Sequence, residues 1–334
     1  MILPPNRRKT MRILAILLLS WLAFATPSAA AGLRIAVGCP AVDSCGDWHW
    51  ANDFSTRLRE RGVASEVVLG GALGPDQSVV DQMSQGLVEV GLTNFVMVRR
   101  IDPLILGFLT PYMFDDLDHM FRAIAQSDVQ SRIDASLAPS RLKLAAILGV
   151  GGPVGIFNSK RAIEKPADLA GLRFRAIDRS QLALYEAWGT QGVVVDMAEV
   201  STSLQSGVID GYINPPVVAL IFQHTDFLKF YTDAGAGIGV RTALMSRDWY
   251  AGLDAKTRAA VDEAIAHATE NNRAWTRRVA AAELKTLETK GVKVTTLSPE
   301  MRKQFGDLSR KAWSALIPPQ HLDYFVAIAG KSRK

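Results

Sequence analysis

Two arginines on one predicted strand are the residues whose type and spacing most directly imply chemistry. Arg173 and Arg175 lie two residues apart in GLRFRAI, a segment with the pattern of a buried strand. Because side chains alternate along a strand, both guanidinium groups are expected on the same face. A buried guanidinium needs an anion, and the segment contains no Asp or Glu. The counter-charge is therefore either a distant side chain or the carboxylate of a bound ligand.

The elements that would position this strand alternate between strand and helix. The first five are LRIAVG (strand), DWHWANDFSTRLRERG (helix), VASEVVL (strand), QSVVDQMSQGL (helix) and VEVGLT (strand). A long helix is predicted from about Asp254 to Lys290. Alternation of this kind indicates an α/β protein with mostly parallel sheets covered by helices.

The length of 334 residues favours two lobes of roughly 150 residues each. Open α/β sheets bind ligands at the carboxyl ends of their strands. The sequence therefore predicts ligand capture in a cleft.

Positive charge is concentrated at the start of the chain. Four basic residues that contribute to the net charge of +5 lie before Ala31, where the chain has no acidic residue: Arg7, Arg8, Lys9 and Arg12. The remainder is close to neutral, which removes the main electrostatic argument for nucleic acid or an acidic membrane surface as partner. Residues 1–31 join this basic start to the apolar run ILAILLLSWLAFA and the small residues TPSAAA, the pattern of a cleavable signal peptide. We therefore expect a periplasmic protein, with a retained N-terminal anchor as the alternative.

The two cysteines of the chain lie close together in GCPAVDSCGDW. In an oxidising compartment, Cys39 and Cys45 are expected to form a disulfide that closes a short loop after the first strand. A zinc site would need a fourth ligand, since His49 is the only further candidate nearby. No metal and no cofactor is expected, and a lipid-anchored Cys39 is the alternative to the disulfide.

Five segments resemble, in order and spacing, the solute-binding proteins of tripartite ATP-independent periplasmic (TRAP) transporters of the DctP type. They are GGALGPDQ with SQGLVEVG, FLTPYMFDDLDHMFRA, NSKRAIEKPADLAGLRFRA, LQSGVIDGYINPP and TRAAVDEAIAHATENNRAW. The resemblance covers essentially the whole chain after the signal peptide. It implies a two-lobed periplasmic binding protein fold with a ligand cleft between the lobes and a long helix that spans both. The implied first lobe is residues 32–150 plus about 240–278, and the second is about 151–239 plus 279–334.

The function implied by the resemblance is that of an extracytoplasmic receptor, which binds a small organic carboxylate and delivers it to the membrane permease subunits. A ligand-binding partner of a membrane signalling kinase and an exported enzyme on the same scaffold are the alternatives. The enzyme alternative has little support, because the chain contains no G-x-S-x-G, HExxH, P-loop or dinucleotide-binding motif. The histidines are scattered without ligand spacing: His49, His119, His224, His267 and His321.

The resemblance also implies individual binding residues. Arg175 occupies the position of the family's carboxylate-binding arginine, where a guanidinium donates two parallel hydrogen bonds, and Arg173 is expected to be structural. Asn214, in the DG-x-x-NP element, is expected to donate to a ligand oxygen, with a turn asparagine as the alternative. Asn94 and Phe95 end the third strand at the expected edge of the cleft, where Asn94 is alternatively a helix cap.

Three departures from the acidic-sugar-binding members indicate a more apolar pocket. Val154 stands near the position of a further arginine, Met197 replaces an aromatic residue and Ser201 replaces a tyrosine. These losses argue against sialic acid or a sugar acid as the ligand. The expected lining, with core packing as the alternative for each residue, is Trp48, Phe95, Phe157, Trp188 and Met197.

We predict that the mature protein begins between Ala30 and Gly32 and is soluble, because small residues supply the cleavage site after the apolar run. The intact mass of protein from the periplasmic fraction measures this. An uncleaved chain in the membrane fraction would contradict both the signal peptide and the receptor role.

Overall fold

The computed structural model describes residues 32–333, so the predicted signal peptide lies outside the described residues. The strands are β1 (Leu33–Ala36), β2 (Ser65–Val68), β3 (Val90–Asn94), β4 (Leu142–Pro153), β5 (Gly155–Asn158), β6 (Arg173–Ala176), β7 (Gln191–Val194), β8 (Gly211–Asn214), β9 (Phe230–Asp233), β10 (Ile238–Ser246) and β11 (Lys293–Thr296). The α-helices are α1 (Gly46–Glu60), α2 (Asp76–Ser84), α3 (Phe95–Arg99), α4 (Leu117–Ala125), α5 (Val129–Leu137), α6 (Arg179–Ala187), α7 (Val200–Gln205), α8 (Pro216–Ile221), α9 (Arg247–Gly252), α10 (Ala255–Thr289), α11 (Pro299–Arg310), α12 (Trp313–Leu316) and α13 (Pro319–Ser332). Short 3₁₀ helices lie at Pro103–Leu109, Ala138–Ser140, Pro166–Leu169, Met197–Glu199 and His224–Asp226.

The first sheet has the strand order β2-β1-β3-β10-β4. β1 pairs in parallel with β2 and β3, as the alternation of strands and helices predicts. α1 covers this sheet because Trp50, Phe54 and Leu58 recur at helical spacing and are fully buried. We call this sheet and the helices packed on it lobe I.

The second sheet has the strand order β11-β9-β5-β8-β6-β7 and, with its helices, forms lobe II. β6 pairs in parallel with β7 and β8. The two-lobed α/β fold is thus confirmed, but each sheet is mixed: β5 is antiparallel to β8 and β9, and β10 is antiparallel to β3 and β4. β5 and β10 each enter their sheet directly from the other lobe, without an intervening helix. The parallel pairing expected of β-α-β units therefore does not apply to them.

Two of the connections between the lobes lie side by side. The first joins β4 to β5 through Val154, and the second joins β9 to β10. The Val154 N–H donates to the Gly237 carbonyl at 2.8 Å, and the Ala236 N–H donates to the Val154 carbonyl at 2.8 Å. The glycine-rich segment GVGGPVG is therefore part of a lobe crossover, and the hydrogen bonds between these two crossovers mark a place where a hinge can bend.

The 35-residue helix α10 spans both lobes, in agreement with the predicted long helix. At a rise of 1.5 Å per residue it is roughly 52 Å long. Val261 near its start packs in the core of lobe I, and Leu287 near its end packs in the core of lobe II. Between them, the Asn272 side chain accepts from the Gly149 N–H at 3.0 Å and donates to the Gly149 carbonyl at 3.1 Å.

A buried carboxyl group fastens α10 to the first crossover. Glu283 is 3% exposed, and its Oε2 accepts from the Gly152 N–H at 2.8 Å. Among the described residues its Oε1 has no hydrogen-bond partner. Gly151 has a φ of +131°, and a Cβ there would lie 2.6 Å from Glu283 Oε1, so only glycine fits. Burial raises the pKa of Glu283 to about 7, against the opposing effect of the Gly152 hydrogen bond.

Cys39 and Cys45 form the predicted disulfide in the loop between β1 and α1. The Trp275 indole N–H of α10 donates to the Asp43 carbonyl of this loop at 3.1 Å, which anchors the loop.

In residues 32–333 no helix is long and apolar enough to cross a membrane. No group of three or more His, Cys, Asp or Glu side chains in the same range is arranged to hold a metal ion.

The end of the chain returns to lobe I. Phe325 of α13 is fully buried and packs edge-on against Phe108 at a centroid distance of 4.9 Å. Ile317, Ile328 and Ala329 join the same cluster. The predicted assignment of residues 279–334 to the second lobe is therefore wrong for the last helix, because its apolar residues complete the core of lobe I. The other lobe boundaries stay a prediction.

Glu283→Gln is expected to remove a pH-dependent part of the stability. The pKa is about 7 in the folded protein and near 4.5 in a free carboxyl, so the unfolding free energy of the wild type should fall as pH rises from 4.5 through 7. The loss should be about 3 kcal/mol and absent from the uncharged variant. Denaturant unfolding at about pH 5 and about pH 8 measures both proteins. An identical pH dependence would contradict the burial of an ionisable Glu283.

Candidate functional site

Arg175 lies in the middle of the lobe II sheet. On β6 it is in register with Val193 of β7 and Tyr212 of β8, and it is 6% exposed. Its Nε donates to the Val195 carbonyl at 2.9 Å. Within residues 32–333 no carboxylate lies within ion-pair distance, and no acceptor is bonded to its two Nη groups. Burial lowers the pKa of Arg175, opposed by Tyr185, Tyr212 and Asp196.

Arg173 has the fixed partner that Arg175 lacks. Its backbone N–H donates to Asp210 Oδ2 at 2.9 Å, and its Nε donates to the same oxygen at 3.1 Å. Lys160 Nζ is 3.7 Å from the other oxygen of Asp210. Although burial acts to raise the pKa of Asp210, the Arg173 hydrogen bonds hold it below its usual value. The two arginines of the opening motif therefore share a face and differ in role.

Asn214 is the last residue of β8, two residues beyond Tyr212, so the strand period places it on the Arg175 face. Its Nδ2 is buried and has no hydrogen-bond partner among the described residues. Pro215 and Pro216 follow and begin α8, which stops the strand here. A buried donor without an acceptor is unfavourable unless a ligand completes it.

A chain of neutral hydrogen-bonding groups, not identified from the sequence, adjoins Arg175. The Tyr212 hydroxyl lies 3.0 Å from His224 Nδ1, and His224 Nε2 lies 3.1 Å from Ser201 Oγ. Burial and, to a smaller extent, the Arg175 charge lower the pKa of His224 to about 4. The imidazole is therefore uncharged at neutral pH. Because side chains alternate along a strand, Asn214 could have identified Tyr212, two residues earlier, as a residue on the same face. No sequence pattern around His224 indicates its position near Arg175.

The β3–α3 junction of lobe I faces the end of β6. Ile177, directly after β6, packs against the lobe I core that contains Phe95. Asp178, the next residue, forms an ion pair with Arg99 of α3. Asn94 Oδ1 accepts from the Val96 N–H at 3.0 Å, so Asn94 caps α3 as its alternative role predicts. Its position at the cleft edge and that of Phe95 remain the basis for expecting ligand contact.

The expected apolar lining is only partly consistent with the structure. Trp188 packs against Phe305 at 5.1 Å, in the core on the face of the sheet opposite Arg175, so its prediction is wrong. Phe157 is on the Arg175 face but has no exposed surface, because Tyr231 and Tyr212 enclose it. Met197 is partly buried against that cluster, and Trp48 is half-buried in the first turn of α1. The neighbours of Arg175 are thus more polar than expected.

The comparisons with known proteins agree on one family. The model described as "DctP: Bacterial extracellular solute-binding protein, family 7" matches residues 50–318. The 2,3-diketo-L-gulonate-binding periplasmic protein YiaO of Escherichia coli is 25% identical over 91% of this chain and 90% of its own. The ectoine/5-hydroxyectoine-binding periplasmic protein UehA of Ruegeria pomeroyi is 24% identical over 86% of this chain and 90% of its own. The uncharacterized protein YiiZ of Salmonella typhimurium is matched over only 50% of its length, at 25% identity over 48% of this chain.

Solved structures share the fold at low sequence identity. A TRAP periplasmic solute-binding protein from Ochrobactrum anthropi superimposes with a TM-score of 0.81 at 20% identity, over 90% of this chain and 95% of its own. One from Chromohalobacter salexigens with bound D-glucuronate gives 0.79 at 20% identity, over 90% of this chain and 100% of its own.

Unfolding measurements without ligand should separate the two arginines. Arg175→Met removes an uncompensated buried charge, so its unfolding free energy should stay within about 1 kcal/mol of the wild type or exceed it. Arg173→Met leaves the buried Asp210 without its guanidinium and should lose about 1 to 3 kcal/mol. Denaturant titration compares them. A larger loss for Arg175→Met would identify Arg175 as a structural residue.

Proposed function

The chain belongs to family 7 of the bacterial extracellular solute-binding proteins, and we propose that it is a TRAP transporter receptor that binds a small organic carboxylate through Arg175. Members of this family are solute-binding receptors, so the proposal assigns no catalytic group to the chain. In this proposal the ligand site lies between the two lobes, and the receptor works in the periplasm. The periplasmic names of the relatives support that location.

The observation that carries the proposal is the missing counter-charge of Arg175. A guanidinium held 6% exposed, with only its Nε bonded, leaves two Nη groups for an acceptor. A carboxylate fits this fork with two parallel hydrogen bonds. The unpartnered Nδ2 of Asn214 on the same face supplies a further donor for a ligand oxygen.

The names of similar proteins support the same chemical class. YiaO is named for 2,3-diketo-L-gulonate, and the Chromohalobacter salexigens protein was solved with D-glucuronate. Both compounds are sugar acids with a carboxylate. These names weigh against the expectation from Val154, Met197 and Ser201 that the ligand is no sugar acid. The polar chain of Tyr212, His224 and Ser201 beside Arg175 weighs against it as well.

In the proposed mechanism, the ligand enters an open cleft and pairs its carboxylate with Arg175. The lobes then close by bending at the paired crossovers around Val154. The closed form presents the surface that docks on the permease, so ligand binding shifts the population toward the delivering state. A micromolar affinity corresponds to about −8 kcal/mol, which an ion pair plus the contacts around it can supply.

Arg175→Ala is expected to abolish carboxylate binding. The native ligand is first identified by native mass spectrometry of freshly purified protein, and calorimetry then compares the variants. Losing one partner of a buried ion pair costs about 3 kcal/mol or more, roughly a hundredfold in Kd. Arg175→Lys should restore binding only in part, because an ammonium group lacks the paired donors of the fork.

Arg173→Ala is the matched control on the same strand, and its Kd should change little at a temperature where the protein stays folded. Unchanged affinity in Arg175→Ala would overturn the proposal. A neutral native ligand would overturn it equally, since the uncompensated charge of Arg175 would then have no role in recognition.

A further inference from the structure

Three charged side chains of lobe I form a cluster at the carboxyl edge of its parallel strands. Asp47 lies in the first turn of α1, which follows β1, and Asp76 begins α2, which follows β2. Arg241 lies on β10 directly opposite Asn94 of β3. This edge is where an open α/β sheet places its ligand.

The cluster holds two carboxyl groups for one guanidinium. Arg241 Nε is 2.6 Å from Asp47 Oδ2, and Arg241 Nη2 is 3.6 Å from Asp76 Oδ2. The Asp47 side chain is 6% exposed, and its Oδ1 has no partner among the described residues. Burial raises the pKa of Asp47, Arg241 lowers it, and Asp76 raises it further. With Asp47 ionised the cluster is negative, and with Asp47 protonated it is neutral, so it is not positive in either state.

The cluster adjoins the part of lobe I that faces Arg175. Asp76 Oδ2 accepts from the Asn94 N–H at 2.7 Å. The next residue, Phe95, belongs to the core that packs against Ile177, two residues after Arg175. One wall of the cleft therefore carries an uncompensated cation, and the other carries an excess of acceptors.

We infer that lobe I selects ligands whose end remote from Arg175 carries a hydroxyl or ammonium donor, and that it excludes a second carboxylate there. This inference rests on the proposed function, because it assumes a carboxylate held by Arg175. A donor group at the remote end satisfies the free oxygen of Asp47. A carboxylate at that place meets the like charge of Asp76, and of Asp47 when that group is ionised, and it loses its hydration without a compensating donor.

Two matched pairs of compounds test the selectivity by calorimetry. D-galactonate and galactarate share six carbons and differ in a terminal hydroxymethyl against a carboxylate. The compounds 4-hydroxybutyrate and succinate make the same change on four carbons. In at least one pair the monoacid should bind about tenfold more tightly or better than its diacid, and its binding should be lost in Arg175→Ala.

Equal or tighter binding of the diacid in both pairs overturns the inference, and so does the absence of binding by both monoacids. Whether binding of the diacid requires Arg175 distinguishes failure of the selectivity from failure of the proposed receptor function. If diacids bind tightly and Arg175→Ala abolishes that binding, the carboxylate receptor stands and the selectivity fails. If a compound binds equally well to Arg175→Ala, the proposed function fails.

Variants locate the selectivity in the cluster. Asp47→Asn with Asp76→Asn should leave Arg241 unbalanced and shift the ratio of the diacid Kd to the monoacid Kd toward the diacid by about tenfold. Asp81→Asn is the control. Asp81 is exposed, lies on α2 with Asp76, and accepts a hydrogen bond from Gln77, so this variant should leave the ratio unchanged. An unchanged ratio in the double variant overturns the inference. Asp76→Asn alone carries the same test if the double variant does not fold, because its side chain is 30% exposed.

Discussion

A guanidinium charge kept out of water without a fixed partner is the constraint on which the site depends. Transfer of a charge into a protein interior costs several kcal/mol unless an opposite charge accompanies it. For Arg175 the protein supplies one hydrogen-bond acceptor, the Val195 carbonyl. The Tyr185 hydroxyl donates to the backbone carbonyl of Arg175 and not to its guanidinium. The Val195 bond holds the side chain in position but leaves its charge available. Arg173, two residues earlier on the same strand, has a full counter-charge from Asp210, which directly precedes the neighbouring strand β8.

The neighbours of Arg175 preserve this imbalance. The charge of Arg175 acts on His224, whose imidazole stays neutral because burial and Arg175 both disfavour a second cation. Its two ring nitrogens are occupied by Tyr212 and Ser201, so the imidazole orders the wall without adding charge. The lobe I cluster has the opposite composition, with the two carboxyl groups of Asp47 and Asp76 around the one guanidinium of Arg241. The fold thus separates unlike electrostatic environments across one cleft.

The sequence predicted the fold class, the long helix, the disulfide and the placement of Arg175, because these follow from local periodicity, spacing or a contiguous motif. It did not predict which aromatic residues face the site. Trp188 immediately follows a helix that covers the far face of the sheet, and only the sheet order reveals this. The pairing of Asp47 with Arg241 joins the beginning of the chain to a strand that returns from lobe II, and no pattern within either segment carries that information. The position of α13 on lobe I depends on the same kind of distant contact.

The return of α13 to lobe I gives both ends of the described chain a common attachment. β1 is a strand of the lobe I sheet, and Phe325 of α13 is buried in the core of the same lobe. A surface linker or fluorescent reporter fused at either end therefore travels with lobe I and leaves lobe II unrestrained. The receptor can be immobilised by either terminus without blocking domain closure. A pair of dyes for reporting closure needs at least one label on lobe II, since labels at the two termini would move together.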